Sequence, residues 1–378
     1  AGLLKERDVL PEELSNNVNS LVKDAKTDKE KVEILYKYLQ DNSRYVSIQL
    51  GIGGFQPIPA STVMKSGFGD CKGLSNAMKA ILKSVGISSN YCEIYSGKRK
   101  QFTKDFSNIS ETNHAILLVP LKNDSIWLEC TSQTLPFGYI HDDIAGHDVL
   151  VVTDDGKGKI CQIPTYQDEQ NKKNSRLTIN ISEDGSAKGN MTFIERLHGY
   201  PSSVQYVTSN DRTKVIEYIN SNIKLSKIQI ENIHASEDKA IIPSCSLSAD
   251  FSVLDFGNKT GTRLFIPISP LNKGSYNMLT SNVRHQDIQI QNGFSESDSI
   301  IINIPESYTV ESLPKDILVK TSFGTLDARI KLDGNKIMYT QNIDIFTGRY
   351  DKGRYDEVKA FFEEINKAAK RKLVLKKI

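Results

Sequence analysis

A cysteine, a histidine and a glutamate in the first part of the chain have the types and the order needed for acyl transfer through a sulfur nucleophile. Cys71 lies in Gly69-Asp70-Cys71-Lys72-Gly73-Leu74-Ser75-Asn76, and the apolar positions that follow place it on the first turn of an amphipathic helix. N–H groups at a helix start lack intrahelical acceptors and form the positive end of the helix dipole, so a thiolate is favoured there. The Cys71 N–H can also face an oxyanion developing on a carbonyl under attack. A buried cysteine that only packs is the ordinary alternative, and helix position alone leaves the two readings about level. A thiol nucleophile needs a group that takes its proton and later gives one up, and imidazole does both near neutral pH. Of six histidines, His114 is the best placed, because it opens the apolar run Ala115-Ile116-Leu117-Leu118-Val119-Pro120. A hydrogen-bonded strand-end histidine is the bland reading of that position. An imidazole base also needs an orienter for its second nitrogen. Glu129 is the one acid of Ile126-Trp127-Leu128-Glu129-Cys130-Thr131, and a carboxylate in so apolar a run calls for a partner.

The elements that must position these groups follow from periodicity. Residues 11–42 predict two helices. The second starts at a capping box, Thr27-Asp28-Lys29-Glu30, and carries Val32, Leu35, Tyr36 and Leu39 on one face. Tyr45 to Leu50 alternates like a strand, and Gly51 to Pro59 is a Gly/Pro-rich loop. Residues 71–85 predict a helix with Leu74, Ala77, Met78, Ile81, Leu82 and Val85 as its apolar stripe and Gly86 at its end. Strands are expected near 90–95, 113–120, 125–131 and 148–152. Helices first and strands later imply α+β rather than an alternating parallel sheet. Whether His114 can meet Glu129 turns on the connection around Lys122-Asn123-Asp124. A loop of two or four residues puts both on one sheet face, and an odd loop puts them on opposite faces. Pairing Pro120 with Ser125 sets His114 opposite Thr131 and diagonal to Glu129, about 7–8 Å apart at the backbone and within reach of long side chains.

A polar stretch over residues 165–174 reads as a linker. It divides the chain into 1–165, the part that carries the three residues, and 175–378, a β-rich part. The latter opens with a hairpin, Leu177 to Ile181 and Gly189 to Ile194 about Glu183-Asp184-Gly185, and continues with a helix near 210–223 and strands to about 345. A helix over 355–372 closes it. The pattern is that of a β-sandwich or open sheet with a helical insertion. Charged residues make up 25% of the 378 and the formal net charge is +2, which fits a globular chain and gives no electrostatic basis for nucleic acid as a partner. No apolar run reaches the ~20 residues of a membrane span, and the first residues lack the apolar segment of a signal peptide. Five cysteines without a CxxC pair argue against a disulfide framework. His141 and His147 lack ligand spacing with the cysteines, so no metal is expected. Gly51-Ile52-Gly53-Gly54 lacks the lysine and helix of a phosphate loop, and no cofactor is expected. Lys367, Lys370, Arg371 and Lys372 read as a solvated face at a helix end. Asp70 is read as the cap of the Cys71 helix, since a carboxylate acting beside a thiolate would oppose it. Asn113 either positions His114 or ends a turn. Trp127 either shields the His114–Glu129 pair or fills core, and the two are compatible.

The order of cysteine on a helix, histidine on a strand and acid on the next strand resembles the transglutaminase-like superfamily within the papain-like cysteine-nucleophile fold. The motifs that carry the resemblance are Gly69-Asp70-Cys71-Lys72, Asn113-His114, Trp127-Leu128-Glu129-Cys130-Thr131 and Pro136-Phe137-Gly138-Tyr139, covering roughly residues 25–150. Members often carry Asp followed by Pro-Thr at the acid position, where this chain has Glu129-Cys130-Thr131. The resemblance is greatest to bacterial transglutaminase-like proteins with flanking domains of unknown function. It implies a thioester-forming enzyme that hydrolyses a peptide or protein amide, as a protease or deamidase. Transglutaminase-type amine transfer and a non-catalytic envelope binding or scaffold protein are the alternatives. By analogy with a papain-like arrangement, Gln49 and Tyr45 are candidates for a second oxyanion donor. The resemblance further implies a periplasmic or extracellular setting and a cell-envelope partner for the C-terminal β-domain.

Overall fold

A computed structural model describes residues 2–98, 101–103, 111–153, 155–197, 199–240, 242–272 and 284–378. The chain forms two units, Ala1–Thr165 with Lys239–Ile241, and Tyr166–Asp238 with Ile242–Ile378. The fold is mixed α+β, with a helical start to the first unit and a mostly-β second unit.

The first unit begins with α1 (Glu12–Leu21) and α2 (Asp28–Asn42). Thr27 caps α2 by accepting from the Glu30 N–H at 3.1 Å. The expected stripe of Val32, Leu35, Tyr36 and Leu39 is the buried face of α2. The chain then pairs only briefly: β1 (Arg44–Tyr45) lies parallel to β2 (Phe68–Gly69), on either side of α3 (Ala60–Ser66). The strand expected over residues 45–50 is therefore almost absent. Its partner ends at Gly69 because Asp70 turns away to cap the next helix, α4 (Cys71–Ser84). Ile48 and Leu50 are left exposed.

Against α4 lies an antiparallel sheet of β3 (Asn90–Ile94), β4 (His114–Pro120), β5 (Ser125–Leu128), β6 (Asp148–Val152) and β7 (Gly158–Gln162), in spatial order β5-β4-β3-β6-β7. Side chains of alternating parity go to its two faces. Leu117, Val119, Ile126 and Leu128 pack with Leu74, Ala77, Met78 and Ile81 of α4 and with the α2 stripe. Ile116 and Trp127 join Cys92, Ile94, Val149 and Val151 on the other face. β5 stops at Leu128, short of the expected 131. The chain turns there because the Thr131 N–H and hydroxyl fold back onto the Glu129 carboxylate.

The second unit holds an eight-stranded sheet. In spatial order its strands are Gln229–Asp238, Ser244–Val253, Ala187–Arg196, Lys172–Ile181, Phe294–Asn303, Lys336–Ile345, Gly324–Asp333 and Ile317–Lys320. The sequence hairpin Leu177 to Ile194 is the antiparallel pair Lys172–Ile181 and Ala187–Arg196. Two helices, Tyr200–Val207 and Arg212–Asn222, interrupt the strands, and periodicity had pointed only to the second. The last helix, Tyr355–Ala368, buries Phe361, Phe362 and Ile365 with Phe323 and Ile343 of the sheet region. It is shorter than the expected 355–372. Residues Lys372–Lys377 instead form a strand beside Arg263–Pro267, where Leu373 and Leu375 are buried at alternate positions. No described helix is long and apolar enough to cross a membrane.

Candidate active site

α4 presents Cys71 at its first position, and the reason is local. The Asp70 side chain accepts from the Gly73 N–H at 2.9 Å, which fixes the helix start one residue before the thiol. The N–H groups of Cys71 and Lys72 occupy first-turn positions that have no intrahelical acceptor. Asp70 also pairs with the Lys72 ammonium, both side chains being buried. That pairing neutralises the carboxylate next to the sulfur. Cys71 packs against Tyr91 and Ala115, and the Ser75 hydroxyl donates to the Ala115 carbonyl at 3.1 Å. This bond ties α4 to β4 one residue from His114.

The register of β4 on β5 decides the rest. Pro120 faces Ser125 and Leu117 faces Leu128 across a four-residue connection, the even-length case that puts His114 and Glu129 on one face. His114 Nε2 lies 2.7 Å from Glu129 Oε2. The ring also interacts electrostatically with the Cys71 side chain, and the two line the same cleft. With Nε2 on the carboxylate, Nδ1 is the nitrogen left for the sulfur.

Glu129 is held from every side. Its Oε1 accepts from the Thr131 N–H at 2.9 Å and the Thr131 hydroxyl at 2.5 Å. Its Oε2 accepts from His141 Nε2 at 3.2 Å as well as from His114. The Tyr36 hydroxyl of α2 donates to the Glu129 carbonyl at 2.8 Å, and Gln40 Nε2 donates to the Ser132 and Leu135 carbonyls at 2.9 Å. The apolar stripe of α2 thus buries one helix face and delivers the anchors of the turn after β5.

These contacts set the charges. Burial alone would raise the Glu129 carboxyl. Hydrogen bonds from His114 and His141, the His114 charge and the Thr131 hydroxyl outweigh it and hold the group well below the usual carboxylate range. Burial alone would lower His114. Its interactions with Cys71 and Glu129 reverse that and hold the imidazole up at about 10. That direction favours the imidazolium form, which is the form that stabilises negative charge on a neighbouring sulfur.

Cys71 and His114, but not Glu129, line a cleft of about 310 Å³ together with Gln49, Phe55, Tyr91 and Glu93. The other residues singled out from sequence separate clearly. Gln49 lines this cleft; Tyr45 is not among its lining residues, is 43% exposed and pairs with Gly69. Asn113 also lines it, yet its side chain is spent on Ser96, accepting from the N–H at 2.7 Å and donating to the carbonyl at 3.0 Å. Trp127 is a core residue of the sheet face away from α4. Sequence spacing gives His141 a reading only as a metal ligand, and its link to Glu129 is visible only in the fold. The local signal was weak, because the turn that carries it follows an irregular segment. Among the described residues, no group of three or more His, Cys, Asp or Glu is arranged to hold a metal ion.

Residues 15–132 match the transglutaminase-like superfamily. The chain contains a transglutaminase-like domain. Residues 262–375, in the second unit, match a domain of unknown function with a solved structure, DUF3858. No curated protein matches the chain. Among solved structures, a protein from Parabacteroides distasonis described as a "putative protease" is similar at 14% identity with a TM-score of 0.59. The alignment covers 99% of this chain and 57% of that one. At that identity the likeness is one of fold. This chain therefore spans little more than half the length of that structure.

Proposed function

We propose that the transglutaminase-like domain is a cysteine-dependent hydrolase of peptide or protein amides, with Cys71, His114 and Glu129 as its relay. The observation that carries this reading is Cys71 and His114 side by side in the lining of one open cleft, with His114 Nε2 2.7 Å from a fully hydrogen-bonded Glu129. The Cys71 sulfur attacks the amide carbon, and the carbonyl oxygen takes up negative charge facing the Cys71 N–H, with the Gln49 side chain as the second donor. The C–N bond breaks as His114 gives its proton to the departing amine, leaving a thioester on Cys71. His114, now neutral, takes a proton from water as that water attacks the thioester. The thioester C–S bond breaks, the acid product leaves, and the sulfur and the protonated His114 ring return to their starting state. Glu129 keeps the His114 Nε2 protonated throughout and stabilises the imidazolium.

An extended substrate suits the cleft rim. Leu3 and Phe55 line it, and Phe55, Ile52 and Leu50 of the adjoining loop are exposed. The test is turnover of a peptide library by the chain and by its Cys71→Ala variant, read by mass spectrometry. Loss of turnover in the variant assigns the nucleophile. Products carrying a new carboxylate support hydrolysis, products carrying an added amine turn the assignment to transamidation, and equal turnover by both chains refutes the relay. A chain that turns over nothing, with Cys71 inert to alkylation, leaves the non-catalytic binding reading.

A further inference from the structure

The Glu129 carboxylate receives four donors, which is about the number of lone-pair sites it offers. Two of them are imidazoles on the same oxygen: His114 Nε2 at 2.7 Å and His141 Nε2 at 3.2 Å. Both side chains are largely buried, at 14% and 15% exposure, and that of Glu129 is 4% exposed. An ionised carboxylate only accepts, so each ring must present N–H at Nε2. His141 is itself fixed by its turn, in which the Ile144 and Ala145 N–H groups donate to its carbonyl at 3.1 and 3.0 Å. The mechanism above makes no use of this second ring.

We propose that His141 is a positioning residue for the relay: it takes a share of the Glu129 oxygen that holds His114, and so sets how much of the carboxylate's charge reaches the His114 imidazole. The proposal rests on the relay reading, and adds that the relay has a fourth member. Charge donated to His141 is charge withheld from His114. The arrangement keeps the imidazolium from being so strongly stabilised that it no longer surrenders its proton to a leaving amine. The shorter contact to His114 leaves that ring the larger share.

The test is titration of the His114 ring by nitrogen NMR on the full chain labelled in histidine. A Cys71→Ser background removes the sulfur whose interaction raises His114 and brings the midpoint down to an accessible pH. His141→Phe removes the competing donor, and His141→Ala is the second variant should the first fail to fold. The expected result is a rise of the His114 midpoint by about one pH unit, a tenfold change in the ratio of its two forms. His141→Gln, which still offers an N–H, should recover at least half of that rise. A role confined to tying down the 141–145 turn would leave the midpoint where it was. An unmoved or lowered midpoint in both apolar variants overturns the proposal. Glu129→Gln is the control that separates the two levels. If it lowers the His114 midpoint while the His141 variants do nothing, the relay stands and the fourth member falls. If it does nothing, the relay itself falls.

Discussion

Replacing Glu129 by glutamine should move the titration of His114 by several pH units. Both carboxylate oxygens accept, from two imidazoles on one side and from the Thr131 N–H and hydroxyl on the other. A glutamine has one acceptor oxygen and one donor nitrogen, so one side must face a donor with a donor. The charge is lost as well. Two unit charges about 4 Å apart attract by about 4 kcal/mol at an effective dielectric of about 20, which is about 3 pH units at about 1.36 kcal/mol per unit. His114, held at about 10 in the wild type, should fall to about 7. Nitrogen NMR of the labelled rings reads the midpoint directly, and the alkaline limb of peptide turnover should move down by the same amount. Stability follows with a definite sign. A histidine raised in the folded state contributes stability that is complete below its unfolded value of about 6.5 and is lost as pH rises through its folded value. Glu129, held low when folded, contributes stability that is lost as pH falls through the acid range. The wild type should therefore exceed Glu129→Gln in urea resistance most between about pH 4.5 and 6.5, with the gap closing towards pH 10. A His114 midpoint that stays near the wild-type value in the variant would refute the electrostatic reasoning.

Two further perturbations test the neighbourhood. At mildly acidic pH, iodoacetamide should label Cys71 first, because burial pushes the Cys92 and Cys130 thiols up and raises Cys245 to about 12; peptide mapping that finds Cys92 or Cys245 modified as fast would remove the main support for the nucleophile. Asp70→Asn keeps the helix cap but strands the Lys72 ammonium, whose side chain is 9% exposed, and should cost about 3 kcal/mol, most of it regained by adding Lys72→Met. Fluorescence of Trp127, the single tryptophan and a core residue of the first unit, follows that unit's unfolding in urea; an Asp70→Asn cost that the second substitution leaves unchanged would count against a buried ion pair.

What the sequence determined by itself is what depends on neighbours along the chain. The apolar spacing after Cys71 and the Asp70 cap are enough to start a helix at the thiol, since capping and the helical period act over three or four residues. The parity of β4 and β5 was also within reach, because a four-residue connection and a period of two fix which side chains share a face. The tertiary structure alone decided the contacts between distant segments. Gln49 lines the cleft and Tyr45 does not, although both lie in a stretch that alternates like a strand. That stretch found only Phe68–Gly69 to pair with before Asp70 turned away. His141 meets Glu129 because the turn after β5, anchored by Tyr36 and Gln40 from α2, sets where Glu129 sits. Nothing in a local pattern encodes such a meeting: hydrogen bonds between segments far apart in sequence depend on how helices and sheet pack, and packing is a property of the whole unit.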